Sequence, residues 1–219
     1  MIIAEYASKN DLPPYVPKSK ALQELQNLYR CLQNIKEQHI QTQNYLENKN
    51  HLPEAVCFSY NRLAKYIMDE MANIELEIDN LLTDNIELKQ KVDNMQTIPG
   101  IGKTTAVAIL AESPDIKSFS NARQLAVYAV LTPKYRTSGT SVKGKTSISK
   151  IGSSNLRKAL YFPAIVAKTH NPLFQKFSQK LSNKGKSTMV IIVAIMRKLL
   201  HVVFGVIKNN NQFNPTFTA

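Results

Sequence analysis

The chain has 219 residues, 43% of them apolar, with two cysteines, no tryptophan and a formal net charge of +12. That length and composition allow a hydrophobic core in one or two domains and exclude wholesale disorder. Cys31 and Cys57 form no C-x-x-C pair and the N-terminal MIIAEYASKND has neither a basic lead nor a long apolar run, so a disulfide scaffold, a zinc knuckle and a signal peptide are excluded and a reducing, cytoplasmic setting is expected.

Residues 1–19 contain Pro13, Pro14 and Pro17 and read as an N-terminal arm. From Lys20, Leu22, Leu25, Leu28, Leu32 and Ile35 recur at helical spacing, which predicts one amphipathic helix to about Asn48. The segment Asn48 to Val56, with Pro53, is a break. A second stripe follows: Leu63, Ile67, Met71, Ile74, Ile78, Leu81, Leu88, Val92 and Met95. From Ile67 its steps alternate four and three, with Asn85 standing where an apolar residue is missing. That is a heptad seam in which a buried Asn sets register. Residues 20–96 therefore read as a long antiparallel coiled-coil hairpin that also dimerises. Its acidic face (Asp69, Glu70, Glu75, Glu77, Asp79, Asp84, Glu87) is expected to be solvated.

Composition changes at Thr97-Ile98-Pro99-Gly100-Ile101-Gly102-Lys103-Thr104. A phosphate-loop motif needs glycine five residues before Gly102, where Thr97 stands, so nucleotide binding is not expected here. The pattern fits a helix-hairpin-helix turn opening a helix over Lys103 to Ala111, with Gly100, Gly102, Lys103 and Thr104 meeting a nucleic-acid phosphate. A helix over Asn121 to Leu131 comes next. The stretch Thr132 to Ser154 then holds three glycines, six serines and clustered cations, and reads as a long basic Ser/Gly loop. Helices resume over 155–168, 172–181 and 187–208, and 209–219 reads as a flexible tail. The last helix is apolar, but Arg197, Lys198 and His201 break it as a membrane span.

Charge divides the chain at the same place. Residues 1–100 hold 10 basic and 14 acidic residues; residues 101–219 hold 18 basic residues against Glu112 and Asp115 alone. A field of that sign attracts polyanions, of which nucleic acid is the commonest in cells. It also excludes a Ser-His-Asp triad or a two-metal carboxylate site built from the rear half alone. Two readings stay open: a loop that only grips backbone phosphates, or a serine attacking a phosphodiester with cations at hand, Arg136 and Arg157 as bidentate clamps and Lys143, Lys145, Lys150 and Lys158 as point charges. Composition does not choose among Ser138, Ser141, Ser147, Ser149, Ser153 and Ser154. The four histidines are scattered, without metal-ligand spacing.

The segments IPGIGKTTA, FSNARQLAVYAVLTP, Ser138-Gly139-Thr140-Ser141, ISKIGSSNLRKALY, His170-Asn171-Pro172, KGKS and VAIMRKLLHVVF occur in that order over about half of the chain. Together they resemble the C-terminal domain of the bacterial insertion-sequence transposases that act as RNA-guided (bridge-RNA) serine recombinases. The resemblance implies an all-α fold, with residues 97–208 as the serine transposase domain. It makes Ser138 the nucleophile, with Ser141 as second choice, beside Gly139. It also implies double-stranded DNA and a structured guide RNA as partners. Val130 departs from the family, which usually has glycine there. The family begins with a RuvC-like domain carrying four metal-binding acids, and the chain opens where that domain would end. The expectation is therefore a truncated copy with no cofactor of its own, Mg2+ entering only with the acidic domain. It would work as a homo-oligomer, at least a dimer, or in a mixed oligomer with full-length transposase. The alternative expectation is a catalytically inactive DNA- or RNA-binding, dimerising fragment.

Overall fold

The computed structural model describes Glu5, Ser8, Lys9 and residues 17–47, 51–138, 142–148 and 152–214, with the backbone alone for 133–138 and 142–148. Helices carry the core, as expected for the all-α class. Helix α1 (Lys20–Glu47) starts where Ser19 Oγ accepts from the Leu22 amide at 3.3 Å. Its turns carry Leu22, Leu25, Tyr29 and Leu32 onto one buried face. Helix α2 (Glu54–Asp84) runs back alongside it after Pro53. Lys36 pairs with Glu75 at 2.9 Å and the Tyr45 and Tyr60 rings stack at 4.3 Å, contacts that an antiparallel hairpin makes.

Near the open end of this hairpin, the α1 leucines join Ile78 and Leu82 in one buried cluster with the later helices. Toward the closed end, Ile40, Phe58, Tyr66 and Met68 remain exposed. The acidic face is turned to solvent, with Asp69, Glu75, Glu77, Asp84 and Glu87 exposed, and Glu75, Asp79 and Glu87 form ion pairs there.

The seam does not run unbroken to Met95. At Asn85 the backbone leaves helical angles (φ −118°, ψ 93°), and the side chain accepts from the Leu88 amide at 3.0 Å. A separate helix α3 (Ile86–Gln96) begins there. An Asn carbonyl can satisfy a free N–H at a helix start, so the residue expected as a register-setting core amide acts instead as a cap.

Helix α4 (Lys103–Glu112) is buried along its length from Ala106 to Glu112 and forms the centre of the rear half. A short 3-10 turn (Ile116–Ser118) and α5 (Ala122–Tyr128) follow, with Asn121 capping the Gln124 amide at 3.1 Å. The stretch expected as a basic loop pairs with itself as an antiparallel ribbon, β1 (Pro133–Ser138) with β2 (Val142–Ile148). Helices α6 (Ser154–His170), α7 (Pro172–Ser182) and α8 (Thr188–Asn209) close the core. Among the described residues α8 alone is long and apolar enough to cross a membrane. Here it packs inside, burying Ile195, Met196, Leu199, Leu200 and Val203. The expected flexible tail begins with anchored residues, since the Phe213 amide donates to Thr97 Oγ1 at 2.8 Å.

Candidate strand-transfer and nucleic-acid site

Two backbone contacts root the ribbon. The Leu131 amide donates to Ala126 O at 2.9 Å, and across the neck the Ser153 amide donates to Tyr128 O at 2.9 Å. Val130 lies between them, buried, at φ 59°. A β-branched residue in the left-handed region is strained. Opposite it Gly152 adopts φ 137°, where a Cβ would meet Tyr128 O and Val130 Cγ2 at 2.5 Å each. Glycine is therefore required at 152, and both ends of the ribbon leave the core through one narrow neck.

Register positions the candidate nucleophile. Ser138 is the last residue of β1 and pairs with Val142, the first of β2. Thr137 faces Lys143 and Arg136 faces Gly144, with a register shift between Lys134 and Arg136. Lys145 follows in β2. Ser141, Gly139 and Lys150 lie outside the described residues. Among the other serines, Ser153 has its hydroxyl engaged as the cap of α6, accepting from the Leu156 amide at 3.1 Å.

Arg157 stands just past the first turn of α6, beside the neck. Its Nη1 is buried with no hydrogen-bond partner. An orphaned guanidinium N–H is costly unless an acceptor arrives, which suits a phosphate clamp. Lys158 is exposed next to it.

The turn from α3 to α4 divides the expected phosphate contacts. Gly100 (φ 99°) closes onto α6, where a Cβ would meet Ala167 Cβ at 3.0 Å and Pro163 O at 3.1 Å. Its role is close helix packing. Gly102 faces open space and caps α4, whose first N–H groups have no side-chain acceptor there. Thr104 is exposed, and Lys103 forms an ion pair with Asp79 of the hairpin.

Both acids of the rear half are engaged. Glu112, 2% exposed, receives Arg30 Nε and Nη2 at 3.0 Å each, and Lys18 Nζ donates to the neighbouring Ala111 O at 2.9 Å. The Glu112 hydrogen bond raises the Arg30 pKa, while burial lowers that of Lys18. Asp115 accepts from the Lys117 amide at 3.1 Å. Among the described residues no three His, Cys, Asp or Glu gather where they could hold a metal. His201 Nε2 is buried without a partner, and burial, then Arg197 and Arg123, hold its pKa below the usual value. Sequence reading missed the Arg30–Glu112 fork, whose partners stand 82 residues apart. The one available signal was that Glu112 is the last carboxylate but one.

A sequence profile of the Transposase IS116/IS110/IS902 family matches residues 92–179, from the end of α3 through the ribbon to α7. Over 215 residues the chain is 34% identical to the pilin gene-inverting proteins of Moraxella bovis and Moraxella lacunata. That alignment covers 98% of this chain and 66% of each relative. Over 96 residues it is 33% identical to the transposase for insertion sequence element IS1328 of Yersinia enterocolitica, covering 43% of this chain and 27% of that protein. The chain thus spans about two thirds of the length of its Moraxella relatives. Family profile and relatives agree, and the chain belongs to the IS116/IS110/IS902 family of transposases.

Proposed function

We propose that this chain is the serine-bearing part of a DNA transposase or site-specific recombinase, in which the Ser138 hydroxyl attacks a phosphodiester of double-stranded DNA. The hydroxyl proton passes to a base, an Oγ–P bond forms, and the P–O bond to one deoxyribose breaks. The departing oxygen takes up a proton. Attack by another strand's hydroxyl reverses these steps and rejoins DNA without loss of the phosphoester bond. The single observation that carries the reading is the charge pattern around a serine at the end of a rooted ribbon. After Asp115 the chain holds 17 Lys and Arg and no carboxylate. Arg157, one helical turn from Ser153, carries a buried N–H without a partner.

In this reading Arg136, Lys143, Lys145, Lys150, Arg157 and Lys158 neutralise the phosphate, and Gly102, Lys103 and Thr104 grip the backbone through a helix-hairpin-helix turn. Glu112 and Asp115 are engaged, and the described residues offer no carboxylate set that fits Mg2+. The base and any metal-holding acids come from a partner domain or chain. Residues 20–96 serve as the dimerising hairpin, 97–208 as the serine domain and 209–219 as the tail. Exposed Ile40, Phe58, Tyr66 and Met68 suit a second copy or a full-length transposase. Structured guide RNA belongs to the same reading. Inversion of a DNA segment, the activity in the Moraxella relatives' name, is a rearrangement that such a covalent link supports.

The Arg30–Glu112 fork also supports a second reading, a catalytically inactive DNA- or RNA-binding fragment, because it removes the better-placed acid from chemistry. The test mixes the chain with a full-length family transposase whose own serine is replaced by alanine, on nicked duplex DNA. The expected result is a detergent-resistant DNA adduct of this chain that Ser138→Ala abolishes. An adduct that persists in Ser138→Ala removes Ser138 from the role, and no adduct at all selects the inactive fragment.

A further inference from the structure

Helix α7 presents a cationic face that the proposed site does not use. Lys176, Lys180 and Lys184 recur every fourth residue, and Gln179 and Asn183 lie between them. These five side chains line an open hollow of about 460 Å³. The opposite side of the helix is fixed in the core by Phe174, 1% exposed, and by the packed Phe177 and Leu181. The lysine face is therefore held toward solvent. Among the described residues none of the three lysines forms an ion pair, although six pairs form elsewhere.

A second feature meets the stripe at its end. Gly185 (φ 69°) ends the turn, with the Lys186 amide donating to Leu181 O at 3.2 Å. The chain then enters α8, whose N-cap Ser187 makes no side-chain cap hydrogen bond. Lys184, Lys186 and free helix-terminal N–H groups thus collect at one corner, where the helix dipole favours an anion.

We propose that this face docks the phosphate backbone of duplex DNA, as a surface separate from the ribbon. The inference rests on the reading of the chain as DNA-binding. Lys176 and Lys180 stand on α7, and Lys184 lies in the turn that closes it, where its amide donates to Leu181 O at 3.1 Å, so the row runs roughly 12 Å, about the width of the B-form major groove. The outer lysines reach phosphates on facing strands while Lys180 and the two amides lie over the groove between them. The deep, narrow major groove of A-form RNA does not admit that arrangement.

The test measures binding of the whole chain to a duplex DNA and to a duplex RNA of the same length, across a salt series. It compares wild type, the triple variant Lys176→Ala/Lys180→Ala/Lys184→Ala, and the ribbon variant Lys143→Ala/Lys145→Ala. All three lysines of the triple variant are exposed, and its circular dichroism reports whether it folds. The expected result on DNA is a log–log salt slope smaller by about 1.8 for the triple variant, one step of about 0.9 for each outer lysine, so that raising salt from 50 to 200 mM costs it about 12-fold less affinity than wild type. An unchanged slope in the triple variant, with a reduced one in the ribbon variant, overturns this surface and leaves the proposed function standing. Equal losses on RNA and DNA overturn the assignment to duplex DNA. Salt-insensitive binding by wild type overturns both readings.

Discussion

Gly152 lies against Val130 so closely that a Cβ on the glycine would stand 2.5 Å from Val130 Cγ2. The same Cβ would stand 2.5 Å from Tyr128 O, which already accepts from the Ser153 amide. The neck is thus closed by a residue that tolerates no side chain facing one that tolerates its own poorly. Gly152→Ala is expected to destabilise the fold by at least about 2 kcal/mol, from steric overlap and from a φ of 137° that L-residues avoid. Adding Val130→Gly recovers only part, since Tyr128 O remains in the way. Denaturant titration of both variants checks this.

Val130→Gly alone sets two effects against each other. Removing a buried valine side chain costs about 1.5–3 kcal/mol. Releasing a β-branched residue from the left-handed region returns about 1–3 kcal/mol. The variant is expected within about 1 kcal/mol of wild type, a mild result for valine to glycine in a core. A loss of several kcal/mol would mean that the strain is not there.

The hairpin is fastened to α4 by Arg30 and Glu112. Arg30→Ala leaves a carboxylate that is 2% exposed without its fork. Removing one partner of a buried pair costs about 3–5 kcal/mol, and the half-exposed arginine reduces that to about 2–3 kcal/mol. Arg30→Met with Glu112→Gln is expected to regain most of it, measured by thermal unfolding.

Acidification is expected to destabilise the fold through His201. Burial, Arg197 and Arg123 hold its folded pKa below the unfolded value. The unfolded chain therefore binds the proton first, so the contribution is present above about pH 6.5 and is lost as pH falls through the folded pKa. His201→Gln is expected to flatten stability against pH between about 7.5 and 5, and an unchanged curve would place the sensitivity elsewhere.

Asp79 occupies Lys103, one of the residues offered to phosphate. Asp79→Asn is expected to leave stability within about 1 kcal/mol, because the pair is half-exposed. It is also expected to steepen the salt slope of duplex binding by about 0.9, one further phosphate neutralised.

Helix spans were legible because apolar spacing is local: Leu22 to Leu32 and the run through α8 announce their own faces. Asn85 misled because a heptad count cannot tell a buried amide from one that turns onto the Leu88 amide. The ribbon was hidden since Thr132 to Ser154 has no alternating apolar face to record its pairing. Arg30–Glu112 and Gly100–Ala167 depend on folding that joins distant segments, and Val130 shows its strain only through a backbone angle.

The central claim, that Ser138 forms the bond to DNA, is tested most directly by mass spectrometry of the adduct after tryptic digestion. A nucleotide on Ser138 within the peptide Thr137 to Lys143 is the expected result. A nucleotide on Ser141, or on any other residue, would contradict it.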